Sequence, residues 1–131
     1  MSIKPNDRLR GKRVFVLEEE PLIAMEFDHA LSAAGAADVQ LYFRLTDDIC
    51  SVASQYDVAV LDLGIGGQSS LSLAQHLRAQ GIPFVIATAS PTADIDLAME
   101  HIPLLQKPNT VDHLIDALCR AMDASPPAAA E

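Results

Sequence analysis

Asp62 closes a run of strand-forming residues, Tyr56-Asp57-Val58-Ala59-Val60-Leu61-Asp62, and the chain then breaks into Gly64-Ile65-Gly66-Gly67. A continuous apolar run bounded by turn signals suits a strand buried on both faces, as in a parallel sheet. In open parallel sheets chemistry sits just beyond the carboxyl ends of the strands, and Asp62 is placed there. Three other strand-like stretches end on reactive groups. Val14-Phe15-Val16-Leu17 runs into Glu18 and Glu19, Phe84-Val85-Ile86-Ala87 into Thr88, and Ile102 to Gln106 into Lys107.

Three carboxylates at one sheet edge repel one another unless something positive lies among them. A hard divalent cation with oxygen ligands fits, and Mg2+ commonly takes one or two carboxylates plus phosphate oxygens. Lys107 adds a mobile positive charge and Thr88 a hydroxyl donor. The set is suited to receiving a phosphoryl group on the central carboxylate, a reaction that asks a protein mainly for positioning and charge neutralisation. Asp62 is then the nucleophile and the product an acyl phosphate.

Each of these residues also has a plainer reading. Asp62 could cap the turn that follows it, Glu18 to Glu20 could be carboxylates at a helix start, and Thr88 could bond local backbone. Lys107 could be a surface lysine. Other chemistries find less support. Gly64, Gly66 and Gly67 do not form a dinucleotide fingerprint and there is no Walker A lysine pattern. His29, His76, His101 and His113 have no ligand spacing. Cys50 and Cys119 have no CxxC or zinc spacing and fall in helical patterns, as small core residues would.

The elements that must position the site follow in order. Arg13 to Leu17 is the first strand, and Pro21 opens a helix reaching about Ala34, with Ile23, Phe27, Ala30, Leu31 and Ala34 on one face and Gly35 as its stop. Asp38 to Phe43 is a second strand, and Thr46 can cap the next helix, with Ile49, Val52 and Ala53 facing inward. After the Asp62 strand, Ser69 or Ser70 can cap a third helix that carries Leu73, Ala74 and Leu77 and stops at Gly81. The Thr88 strand follows, then a two-turn helix over Thr92 to Glu100 and the Lys107 strand. Thr110 can cap a last helix with Val111, Leu114, Ile115, Leu118 and Met122 buried. Five alternations of strand and helix predict a doubly wound parallel α/β domain with helices on both faces.

With 131 residues, 50% of them hydrophobic and 5% aromatic, one domain with an aliphatic core is expected. Net charge is −9, while Lys4, Arg8, Arg10, Lys12 and Arg13 supply five of the nine basic residues. The body is therefore strongly acidic, which argues against nucleic acid as a partner. Residues 1–11 read as a flexible basic arm, 12–123 as the domain and 124–131 as a disordered Pro/Ala-rich tail. No apolar run is long enough to span a membrane and no signal-peptide pattern opens the chain, so the expected compartment is cytoplasmic.

Taken in order, Val16-Leu17-Glu18-Glu19-Glu20-Pro21-Leu22-Ile23, Leu61-Asp62-Leu63, Ala87-Thr88-Ala89 and Gln106-Lys107-Pro108 resemble the receiver domain of bacterial two-component response regulators. Gly64-Ile65-Gly66-Gly67-Gln68-Ser69 and Gly81-Ile82-Pro83-Phe84-Val85 further resemble single-domain receivers of alphaproteobacterial type. The resemblance covers roughly residues 12 to 123. It implies a flavodoxin-like five-stranded sheet in the order 2-1-3-4-5. It also implies phosphorylation of Asp62 by a sensor histidine kinase or histidine phosphotransfer protein. Glu18, Glu19, Asp62 and the Gly64 carbonyl would hold Mg2+, Thr88 would be the switch hydroxyl and Lys107 the phosphate-binding lysine, with a cis peptide before Pro108. Such a protein is a phosphoacceptor in signal transduction rather than an enzyme acting on other substrates. Its output would pass by phosphorelay or by interaction with a downstream protein, and a homodimer is one form of assembly.

Three departures from that pattern stand out. Glu19 occupies a position where the family usually has Asp, Leu104 one where it usually has Tyr or Phe, and the segment between Thr88 and Lys107 is shorter than usual. They leave a rival on the same fold, a pseudo-receiver that binds partners without phosphorylation. A second rival is a phosphohydrolase with an aspartyl nucleophile. Such enzymes want a second carboxylate two residues on, where this chain has Gly64.

Overall fold

A computed structural model describes residues 7–88, 104–106 and 110–124. The strands are β1 (Arg13–Leu17), β2 (Asp38–Tyr42), β3 (Val58–Asp62), β4 (Gly64–Ile65), β5 (Gln68–Ser69), β6 (Phe84–Thr88) and β7 (Leu104–Gln106). The helices are α1 (Pro21–Ala33), α2 (Ile49–Ala53), α3 (Leu71–Ala79) and α4 (Thr110–Ala124). Five of the strands form one parallel sheet in the order β2-β1-β3-β6-β7. This is the expected 2-1-3-4-5 arrangement, with β6 and β7 as its fourth and fifth strands.

Why β3 reads as an unbroken apolar run is plain from its place at the centre. All five of its residues are buried. Val58 and Val60 pack with Val14, Val16 and Val85 against Phe27 and Leu31 of α1 and Leu114, Ala117 and Leu118 of α4. Ala59 and Leu61 point the other way, with Phe15, Leu17 and Ile86, onto Ile49 and Ala53 of α2 and Leu73, Ala74 and Leu77 of α3. Alternate residues thus serve two separate cores, and both must be apolar.

The N-terminal segment corrects one expectation. Leu9, assigned above to a flexible arm, is fully buried in the α1–α4 core. Its N–H donates to the Ala34 carbonyl at 2.8 Å, the Lys12 carbonyl accepts from Ala37 N–H at 2.8 Å, and Arg8 forms an ion pair with Asp116 of α4. Gly35 makes this docking feasible. Its φ is 95°, and a Cβ there would stand 3.2 Å from the Asp7 Cα. The basic residues hid a single apolar anchor whose burial outweighs the solvation of its neighbours.

One helix start differs from the expected cap: Asp48, not Thr46, is the N-cap of α2, and the Thr46 hydroxyl donates to the Asp48 carboxylate at 2.7 Å. At α3 the expected Ser70 is the N-cap residue, but its hydroxyl makes no cap bond, and it is the neighbouring Ser69 Oγ that accepts from the Leu71 N–H at 3.1 Å. The expected helix over Thr92 to Glu100, residues 1–6 of the arm and residues 125–131 of the tail lie outside the described residues.

Candidate functional site

Parallel register brings the reactive groups to one edge. Leu17 pairs with Leu61, so Glu18 follows β1 beside Asp62 at the end of β3. Asp62 pairs with Ala87, so Thr88 lies one residue beyond it on β6, and Thr88 in turn pairs with Gln106. The side chain of Thr88 and all of Lys107 and Pro108 lie outside the described residues, although Lys107 follows Gln106 directly in sequence. The backbone thus gathers Glu18, Asp62 and Thr88 where the sequence placed them.

The carboxylates differ in setting. Glu18 is fully buried and Asp62 is 8% exposed, the two acidic side chains buried among the described residues. The Glu18 Oε2 accepts from the Glu20 N–H at 3.0 Å, folding the β1–α1 turn back on itself. Glu20 is the N-cap of α1, with Pro21 behind it. The Glu20 side chain makes no cap bond of its own, so at this helix start it is the buried Glu18 carboxylate that meets a backbone N–H. Keeping carboxylates this deep at a strand end is costly unless positive charge or hydrogen-bond donors meet them.

After Asp62 the chain forms a small hairpin instead of the loop suggested by Gly64-Ile65-Gly66-Gly67. β4 and β5 pair antiparallel, Gly64 with Ser69 and Ile65 with Gln68. The two turn residues, Gly66 and Gly67, have φ of 57° and 79°, the type I′ geometry that suits a two-residue hairpin. Ile65 is buried among the α2–α3 core residues and anchors the hairpin from below.

Two contacts that sequence reasoning missed fasten this hairpin. The buried Ser70 hydroxyl lies 2.6 Å from the Asp62 carbonyl and 3.2 Å from the Leu63 carbonyl, and the Ser70 N–H donates to the same Leu63 carbonyl at 2.8 Å. Ser70 therefore holds the backbone on the exit from Asp62. At the tip, the Glu19 Oε1 accepts from the Gly66 N–H at 2.7 Å. The adjacent glycines at 66 and 67, a pair that suits a two-residue turn, were a legible hairpin signal. The roles of Ser70 and Glu19 had none, since a serine before a helix reads as a cap.

By donor type the residues fit a hard divalent cation, because Glu18, Glu19, Asp62 and the Gly64 carbonyl offer only oxygen. Their arrangement differs between the buried pair and Glu19: Glu18 and Asp62 lie at the sheet edge in register, while Glu19 is exposed. Among the described residues no three His, Cys, Asp or Glu side chains are grouped to hold a metal ion, and Glu19 is turned to Gly66.

A doubly wound parallel sheet with a buried aspartate on its central strand end defines the class of protein. The SdrG protein of Sphingomonas melonis Fr1 has a solution structure to which this chain is 31% identical, covering 87% of this chain and 98% of that one with a TM-score of 0.68. The response regulator PhyR from Brucella abortus matches at 23% identity and TM-score 0.71 over 91% of this chain, which spans 51% of PhyR. The receiver domain of the histidine kinase CKI1 from Arabidopsis thaliana, complexed with Mg2+ and BeF3-, matches at 13% identity and TM-score 0.66, covering 92% of this chain and 95% of that one. These two more distant likenesses speak to the fold alone. No protein-family model and no curated protein sequence matches the chain. The chain belongs to the receiver domains of response regulators. Among the described residues no helix is long and apolar enough to cross a membrane.

Proposed function

We propose that this receiver is a phosphoacceptor whose Asp62 takes a phosphoryl group from a sensor histidine kinase or a histidine phosphotransfer protein. The carrying observation is the placement of Asp62, nearly buried at the end of the central strand with Glu18 beside it in register. An Asp62 carboxylate oxygen attacks the donor phosphorus, the P–N bond of the phosphohistidine breaks, and the imidazole leaves with its electron pair and takes up a proton. Ser70 holds the backbone behind the nucleophile. Lys107 offsets the charge of the arriving group and Thr88 donates its hydroxyl to it. A divalent cation held by Glu18, Glu19, Asp62 and the Gly64 carbonyl would supply further charge neutralisation. The protein catalyses at most its own phosphorylation and the hydrolysis of the acyl phosphate.

Exposed apolar side chains on α1, the helix that follows Glu18 and Glu19, support docking of a protein donor on that face. Leu22 and Met25 of α1 are 77% and 60% exposed, only a few residues beyond Glu18. Output then passes by phosphorelay or by protein–protein interaction in the cytoplasm. Incubation with Mg2+ and a small-molecule phosphodonor, followed by intact mass measurement, tests the reading. A gain of one phosphoryl group that is absent in Asp62→Asn supports it. An unchanged mass in the wild type favours a phosphorylation-independent binding module, the reading to which the Glu19–Gly66 bond lends weight.

A further inference from the structure

The register of the sheet leaves the end of β3 unevenly held. Against β1 the pairing runs only as far as Leu17 with Leu61, while against β6 it reaches Asp62 with Ala87. Asp62 thus has a paired residue on one side only, and the next bond on that side, from Leu63 N–H to the Ala87 carbonyl, is long at 3.4 Å. Past Asp62 the chain is fastened to α3 instead, through Ser70. The Ser70 hydroxyl lies 2.6 Å from the Asp62 carbonyl and 3.2 Å from the Leu63 carbonyl, and the Ser70 N–H donates to the Leu63 carbonyl at 2.8 Å. Its own carbonyl accepts from Ala74 N–H at 3.0 Å, in the first turn of the helix. A hydroxyl has one proton, and the nearer carbonyl, that of Asp62, takes it. Ser70 is 1% exposed, and the cap bond expected of a serine in its place is left to Ser69.

We infer that Ser70 is a positioning residue for phosphoryl transfer: by holding the Asp62 carbonyl against the start of α3, its hydroxyl fixes the direction from which the Asp62 carboxylate meets phosphorus. This rests on the reading of Asp62 as the phosphoacceptor. The carbonyl and the side chain of Asp62 hang from one Cα, so anchoring the first restricts the second. The anchor is itself firm, because Leu73, Ala74 and Leu77 of α3 are buried in the same core as Leu61 and Ile65. In the transfer an Asp62 oxygen forms a bond to phosphorus, the bond from phosphorus to the leaving group breaks, and that group departs with the electron pair. Such a step is steep in geometry, and a misplacement of about 1 Å is enough to slow it about 10²-fold. Ser70 acts through the Asp62 backbone, since its proton is committed to carbonyl oxygen.

The rate at which the full chain is phosphorylated by acetyl phosphate in excess MgCl2, followed by intact mass against time, tests this. Ser70→Ala lowers the maximal rate about tenfold, the rate equivalent of one hydrogen bond, and leaves the acetyl phosphate concentration for half-maximal rate unchanged. Ser70→Cys fills the same space with a weak donor and is slowed as well. Two controls separate positioning from loss of stability. Leu9→Ala empties a fully buried position in the other core, between α1 and α4, and Ser69→Ala removes the cap bond of α3. Both, corrected for the folded fraction, keep the wild-type rate. A wild-type maximal rate in Ser70→Ala or Ser70→Cys, or a slowing no larger than that of Leu9→Ala, overturns the positioning role and leaves the phosphoacceptor reading standing. A wild-type protein that gains no phosphoryl group overturns both.

Discussion

Replacing Ser70 separates two views of how the chain leaves Asp62. If the Ser70 hydroxyl capped α3, whose N-cap position it occupies, Asp would serve as well, because Asp and Ser are comparable N-caps. The structure has the Ser70 hydroxyl donating inward to the carbonyls of Asp62 and Leu63, with no cap bond to α3. Ser70→Ala removes that donor. The Leu63 carbonyl keeps the Ser70 N–H at 2.8 Å, so the loss falls mainly on the Asp62 carbonyl. A net hydrogen bond is worth about 1 kcal/mol, and a buried acceptor left short of a partner costs about 1–3 kcal/mol. A loss of about 1–2 kcal/mol is expected, lowering Tm by roughly 4–8 °C for a domain of this size. Ser70→Asp is the sharper test. It places a carboxylate against two carbonyls in a buried site, and about 3 kcal/mol or more should be lost. Thermal and urea unfolding measure both. A Ser70→Asp variant as stable as wild type would refute the inward-donor account and restore the capping one. Ser69→Ala is the control: its exposed Oγ accepts from Leu71 N–H at 3.1 Å, and its loss should cost less than that of Ser70.

Two further outcomes follow from other parts of the fold. Leu9→Ala should lower stability by about 2–5 kcal/mol, seen as a lower urea midpoint at unchanged slope, because Leu9 is fully buried; a solvated leader would lose nothing. Tyr56 should ionise late, its pKa pushed up to about 12 by burial first and by its bond to the Tyr42 hydroxyl at 3.1 Å second. A raised pKa means the folded state favours the neutral phenol. This contribution to stability is complete below the ordinary value of 10.0 and disappears as pH rises through about 12. In Tyr42→Phe the remaining phenol can be followed by alkaline absorbance titration. It should move down but stay above 10.0, and titration at the ordinary value would show that burial is not the main cause.

Much of the site was readable because it depends on where strands end. Asp62, Glu18 and Thr88 each follow an apolar run, and a parallel sheet in this order sets those ends side by side whatever the details of the helices. Gly35 likewise marked the end of α1, where its N–H donates to the Ser32 carbonyl at 3.0 Å. What was misjudged depended on single side chains choosing between partners. Thr46, Ser70 and Glu19 all have short-range roles in sequence, and each bonds somewhere else. Leu9 was masked by the basic residues around it, since charge averages over a window while burial is decided residue by residue.

The order of residues alone determined the parallel α/β architecture, with helices on both faces of the sheet, and the strand end that carries the aspartate, because periodicity and turn residues are local properties of a chain. Tertiary structure decided where Glu19 and Ser70 direct their oxygens, that the glycine-rich stretch pairs into a hairpin, and that Leu9 is drawn into the core. Those outcomes turn on contacts between groups separated along the chain, which only the folded backbone brings within reach of one another.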